Sequence, residues 1–189
     1  MNVLKYIDKL IYRTISTIQN IHLRVQITEL KKQGSVFGKN VFVDPKVRFR
    51  INKNSKLSIS DNVKILNDTW IITEDSDEIM IGTNTFISQH VIISGNVNIG
   101  NDALIAGYVS IIDASHNFND TNKKINEQGG SKLPITIGDN VWIGTHSVIL
   151  QGVTIGNNSI IGANSTVTYN IADNVVVAGN PVKLIKLRE

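Results

Sequence analysis

The chain has 189 residues, 41% hydrophobic and 19% charged, with a net charge of +3; this length suggests one domain and this balance a folded one. The absence of Cys rules out a disulfide framework, a thiolate zinc site and a Cys nucleophile. No apolar run is long enough to span a bilayer and nothing resembles a secretory signal, so a cytoplasmic protein is expected.

The first segment, residues 1–35, is read as an amphipathic helix. Val3, Leu4, Ile7, Leu10, Ile11, Ile15 and Ile18 recur at i, i+3, i+4 spacing. Residues 1–58 carry 12 Lys and Arg against 3 Asp and Glu; the remainder carries 7 against 13. The apolar stripe is expected to cover the end of the next element or to meet a neighbouring subunit. The alternative is attachment to an anionic membrane surface through Lys5, Lys9 and Arg13. The basic residues accompany no nucleic-acid recognition motif, so nucleic acid is not an expected partner.

From residue 36 the period changes to six. Aliphatic residues recur at Ile137, Ile143, Ile149, Ile155, Ile161 and Val167, and at Ile81, Ile87, Ile93, Ile99, Ile105 and Ile111. Ile59, Ile65 and Ile71 make another set, and Phe37, Val43 and Phe49 a weaker one. Six is neither the 3.6 of a helix nor the 2 of a lone strand. It fits a parallel β-helix in which each hexad supplies one short strand and one corner. The fifth hexad residue is small or β-branched, as at Thr85, Val91, Ser147 and Val153, and shares the narrow interior. Asn and Gly at the corners tolerate left-handed backbone. Three hexads make one turn of a triangular prism, giving about six coils within residues 36–172: 37–54, 59–76, 81–98, 99–116, 137–154 and 155–172.

An insertion, "NFNDTNKKINEQGGSKLP" (117–134), separates the fourth coil from the fifth. Such an excursion from a regular solenoid points to a task. The tail, 173–189, is read as ending in a short helix that carries Lys183, Lys186 and Arg188, three of the few cations in the acidic half.

The histidines divide by position. His22 has no motif. His90 and His146 fall at the fourth hexad position, where Asn and Asp dominate, and are read as solvent corners. His116 falls at an outward sixth position, beside the insertion. Asp113, three residues earlier, either orients the imidazole or marks a corner.

The repeats, followed by "VVVAGNPVKLIK", resemble the hexapeptide-repeat acyltransferases, above all the maltose and galactoside O-acetyltransferases and related polysaccharide O-acetyltransferases. The resemblance implies an all-β fold built on a left-handed parallel β-helix. It also implies a homotrimer with acetyl-CoA sites between adjacent prisms, and acetyl transfer to a carbohydrate hydroxyl; the basic amphipathic N-terminus favours a membrane-associated glycan, in surface-polysaccharide synthesis, over a small free sugar. His116, followed by a loop and then "PITIGDNVWIG", stands where the family carries its catalytic base. Gln89 stands where some members have a substrate-positioning Asn. Thr145 and Ala163 match positions beside the pantetheine arm. Thr168 and Tyr169 match a cofactor-contacting pair, although Tyr169 replaces a common Lys. Lys183 and Lys186 match basic positions near the nucleotide phosphates. Trp142, outward in "VWIG", either meets the cofactor or a neighbouring subunit, or covers the prism face.

Neutral imidazole suits removal of a proton from a weakly acidic alcohol, and no metal is expected. A gamma-type carbonic anhydrase would need further histidines near His116. An antibiotic acetyltransferase would usually carry a Trp after its histidine, where this chain has "SHNFND". A small free sugar as acceptor and a non-catalytic binding β-helix stay open.

Overall fold

The computed structural model describes residues 3–189. Helix α1, Val3–Lys32, precedes a parallel solenoid of six coils whose short strands build three faces. The first face contains Lys56–Ile59, Glu78–Ile81, Val97–Ile99, Ile135–Ile137 and Thr154–Ile155. The second contains Phe86–Ile87, Leu104–Ile105, Trp142–Ile143 and Ile160–Ile161. The third contains Trp70–Ile72, Ile92–Ser94, Ser110–Ile112 and Val148–Ile149.

The hexad pattern sets the register. Ile59, Ile81, Ile99, Ile137 and Ile155 lie directly above one another and are buried. The fifth hexad residues Thr85, Val91, Val109, Ser147 and Val153 are buried beside these aliphatic columns. Their small volume fits an interior close-packed from three sides. Asn40, Asn62, Asn84, Asn140 and Asn158 take positive φ at the corner between the first and second faces. The Asn62 amide donates to Asn84 at 3.0 Å, and the Asn140 amide to Asn158 at 2.9 Å. Asn thus supplies both the left-handed backbone and a hydrogen-bonded ladder between coils.

Helix α1 ends in a Schellman motif. Ser35 N–H donates to the Leu30 carbonyl and Gly34 N–H to that of Lys31, with Gly34 at φ +96°. The helix covers the base of the prism with a different stripe from the one expected. Leu23 and Leu30 are buried, and Leu30 joins the solenoid core beside partly buried Phe37, Val43 and Phe49. Ile7, Leu10, Ile11, Ile15 and Ile18 are exposed; the side chains of Val3 and Leu4 lie outside the described ones. Leu23 follows Ile18 by five residues, or roughly 140° around the helix, so one prism end cannot cover both stripes.

Two further expectations are corrected. The chain leaves the fourth coil at Ala114, so Ser115, a fifth hexad residue, is exposed rather than inside, and Asp113 takes the buried place. The tail is not a helix: Lys183–Leu187 is a strand, antiparallel to Val175–Ala178. The open backbone edge of Val175–Ala178 offers hydrogen bonds that a terminal helix would leave unmet.

Candidate functional site

The insertion is an antiparallel arm. Ala114–His116 pairs with Gly130–Lys132, with Ala114 opposite Lys132 and His116 opposite Gly130. His116 is exposed and lines an open cleft of about 540 Å³ with Glu74, Ser115, Asn126, Ser131 and Lys132. Gly130 is needed there, because a Cβ would come within 2.9 Å of the Ser115 carbonyl oxygen.

Asp113 does not face the imidazole. Its Oδ2 accepts from the Asn96 backbone N–H at 2.7 Å and from the Asn96 side-chain amide at 3.2 Å. Its Oδ1 is buried without a partner among the described residues. It is neither the orienting group nor a solvent corner, since it is 1% exposed.

Four residues that sequence reasoning missed complete this corner. Asp77, 3% exposed, receives both the Asn96 amide at 3.0 Å and the Lys132 ammonium at 3.1 and 3.0 Å. Lys132 also lies 3.0 Å from Glu74. Burial pulls the Lys132 ammonium down, but hydrogen bonds to Asp77 and Glu74 and the charges of Asp77 and Asp113 outweigh it and raise it above its ordinary 10.5. Lys132 falls within the insertion and Asp77 between two hexad series, where the period carries no signal.

The other expected residues lie elsewhere. Gln89, Thr145 and Ala163 rise along the corner between the second and third faces, next to His90, His146 and Asn164. Thr145 Oγ1 donates to the Gly107 carbonyl at 2.6 Å, and His146 N–H donates to the same carbonyl at 3.2 Å. Gly144 lets neighbouring coils approach: a Cβ there would come within 2.5 Å of Ala163 N. His90 and His146 stand at this corner with φ 57° and 58°.

Trp142, half-exposed on the second face, shares a register with Ile160, Val176 and Lys186. Lys183 pairs with Ala178 in the same tail hairpin. Thr168 and Tyr169 follow the last strand of the third face; Tyr169 Oη donates to the Val182 carbonyl at 2.7 Å and so clasps the tail. The expected site residues therefore fall into two groups on one chain. His116 stands at the corner between the third and first faces. Trp142, Thr145, Ala163, Lys183 and Lys186 stand on the second face and its far corner. The width of the third face separates them.

Another open cleft, about 600 Å³, lies between α1 and the lower coils, lined by His22, Gln26, Arg48, Asp68 and Trp70. No group of three or more His, Asp or Glu among the described residues is arranged to hold a metal ion.

Residues 134–169 match the model of the bacterial transferase hexapeptide family, described as six repeats. A galactoside O-acetyltransferase from Escherichia coli strain K12 is 36% identical over 159 residues, which are 83% of this chain and 66% of that protein. A protein of the same strain, provisionally named a lipopolysaccharide biosynthesis O-acetyl transferase, is 34% identical over 120 residues, or 57% of this chain and 60% of that one. The chain thus spans somewhat less than two thirds of the length of these curated relatives. Among solved structures, a galactoside acetyltransferase in complex with coenzyme A superposes with a TM-score of 0.63 at 33% identity, covering 88% of this chain and 72% of that one. Coil register, corner chemistry and these likenesses agree, and the chain belongs to the hexapeptide-repeat transferase family.

Proposed function

We propose that the chain is an acetyl-CoA-dependent O-acetyltransferase that esterifies a sugar hydroxyl, in the synthesis of a surface polysaccharide. The observation that carries the reaction is the arm, which holds one exposed imidazole over a cleft large enough for a sugar. His116 takes the hydroxyl proton as the acceptor oxygen attacks the thioester carbon. Backbone N–H groups along the coil edge face the developing oxyanion. The C–S bond then breaks, and the His116 imidazolium returns its proton to the departing thiolate. Acetyl-CoA supplies the activated acetyl group.

The second face and its far corner suit that donor. The edge at Thr145 and Ala163 is bare enough for a pantetheine chain, and Lys183 and Lys186 supply positive charge above it for phosphates. Because His116 stands across the third face from these residues, the site closes only when a second prism brings its own His116 beside them. A homotrimer meets this need at all three contacts.

The polysaccharide assignment draws on the provisionally named relative and on α1. Its exposed apolar stripe, with Lys5, Lys9 and Arg13 on another side, suits peripheral contact with an anionic membrane where a lipid-linked acceptor would lie. No described helix is long and apolar enough to cross a membrane. A small free sugar is the second reading, favoured by the galactoside relative. A screen of lipid-linked glycans, polysaccharides and free sugars with acetyl-CoA, read by thiol release, separates these. Turnover on glycans alone supports the first reading, turnover on free galactosides alone the second, and turnover on neither removes both.

A further inference from the structure

We propose that Lys132 is a positioning residue for His116: gripped by Asp77 and Glu74, it seats the arm that carries the imidazole. The proposal rests on the reading of His116 as the base.

A two-stranded hairpin is marginal by itself, and the His116 strand, Ala114–His116, is exposed throughout. At its root the arm is tied by Leu133 N–H to the Asp113 carbonyl at 2.9 Å. Beyond the root it has two side-chain anchors. Ser131 exchanges hydrogen bonds with Gln151 on one side. Lys132 reaches Asp77 and Glu74, about two coils below, on the other.

The hairpin register couples Lys132 to His116. Cross-strand partners project to the same side, as do residues two apart on a strand. Lys132 is the partner of Ala114, and His116 lies two residues beyond Ala114. Lys132, Ala114 and His116 therefore share one side of the arm, and all three line the same cleft with Glu74.

The grip is firm for a reason of charge. Asp77 and Asp113 are both buried and both bound by Asn96, and Lys132 is the only cation paired with Asp77 among the described residues. Withdrawing it leaves buried carboxylates without a counter-charge. The arm cannot drift without breaking that pairing, so the imidazole keeps its height above the cleft.

The test compares turnover, acetyl-CoA KM and thermal midpoint in Lys132→Met, Lys132→Arg, Glu74→Gln, His116→Ala and the Lys132→Met/His116→Ala double variant. Misplacing a catalytic group by about 1 Å costs on the order of 10²-fold. Lys132→Met should lower kcat roughly 10- to 100-fold with acetyl-CoA KM unchanged, and Lys132→Arg should recover part of the loss. Lys132→Met should cost nothing further in the His116→Ala background. Near-parental turnover in Lys132→Met, or the same fold loss with and without His116, overturns the positioning role and leaves the base reading standing. Near-parental turnover in His116→Ala alone overturns the base reading instead. If Lys132→Met does not fold, Lys132→Arg and Glu74→Gln decide, because neither removes the buried counter-charge. A smaller fall in kcat at constant KM supports the proposal, and parental kcat in both overturns it.

Discussion

The Tyr108 ring stacks on that of His146, with centroids 4.7 Å apart and planes within 11°. His90 lies on the opposite side of Tyr108 at 4.6 Å and 15°. All three take positive φ at one corner, where other coils carry Asp68 and Asn164. The column gives both histidines a packing role that needs no chemistry. Tyr108→Ala removes both stacked pairs and should lower stability by about 2 kcal/mol, roughly 1 kcal/mol per pair beyond buried area. His90→Ala and His146→Ala should keep turnover within a fewfold of the parent. Loss of turnover in either, with the fold intact by circular dichroism, would move the acid–base role to this corner.

His116→Ala should behave in the opposite way. The side chain is exposed and makes no hydrogen bond among the described residues, so the thermal midpoint should hold. Calorimetric affinity for acetyl-CoA should hold too. Turnover should fall roughly 10²- to 10⁴-fold, the contribution of a positioned general base. A variant that keeps near-parental turnover would place the base elsewhere.

His116 and the proposed donor-site residues lie on opposite sides of the third face, so the proposed reaction requires assembly. The particle in solution should scatter at about three times the chain mass of 20.8 kDa. Ala163→Trp should block the donor edge while leaving His116 untouched. Mixed and refolded with His116→Ala, it should regain part of the parental turnover, because some interfaces join an intact His116 to an open donor edge. A monomer that turns over, or mixtures no more active than their components, would place both halves within one chain.

Lys183 and Lys186 sit in the tail hairpin above the second face. Replacing both with Ala should raise the acetyl-CoA KM several-fold and leave kcat nearly unchanged. The difference from the parent should shrink as salt rises, because exposed cations act on phosphates through a screened field. An unchanged KM at low salt would remove the tail from the donor site.

How far the sequence disclosed this molecule depends on whether a residue belongs to the repeat. Ile81 to Ile111 and Ile137 to Val167 show their columns at once, because the coil has one inward place for each aliphatic side chain. Asn62, Asn84 and Asn140 mark corners for an equally local reason, the left-handed φ. Asp113 misled because it sits where the repeat ends: a solvent corner there holds only if the coil continues, and the chain instead turns into the arm. Asp77 and Lys132 are 55 residues apart and meet only because coils stack. Leu23 and Leu30, rather than the Ile11 and Ile18 stripe, cap the prism. Both stripes have helical spacing, and only the approach of the helix to the first coil chooses between them.

The Lys132 grip also has a pH signature. Its ammonium is held above the ordinary 10.5, with the partners' attraction exceeding the cost of burial. A cation favoured in the folded state contributes stability that is fully present below 10.5. That contribution is lost as pH rises through the raised folded value, where the native ammonium finally gives up its proton. The parent should therefore exceed Lys132→Met in stability by a constant margin from neutral pH to about 10, and the margin should narrow above that. Denaturant midpoints at matched ionic strength, taken for both proteins across this range, measure it. The arm should loosen over the same interval, seen as faster proteolysis between Asn117 and Gly129 in the parent. A margin that stays constant past pH 11, or that widens there, would mean that the Lys132 charge is not what holds the arm to Asp77.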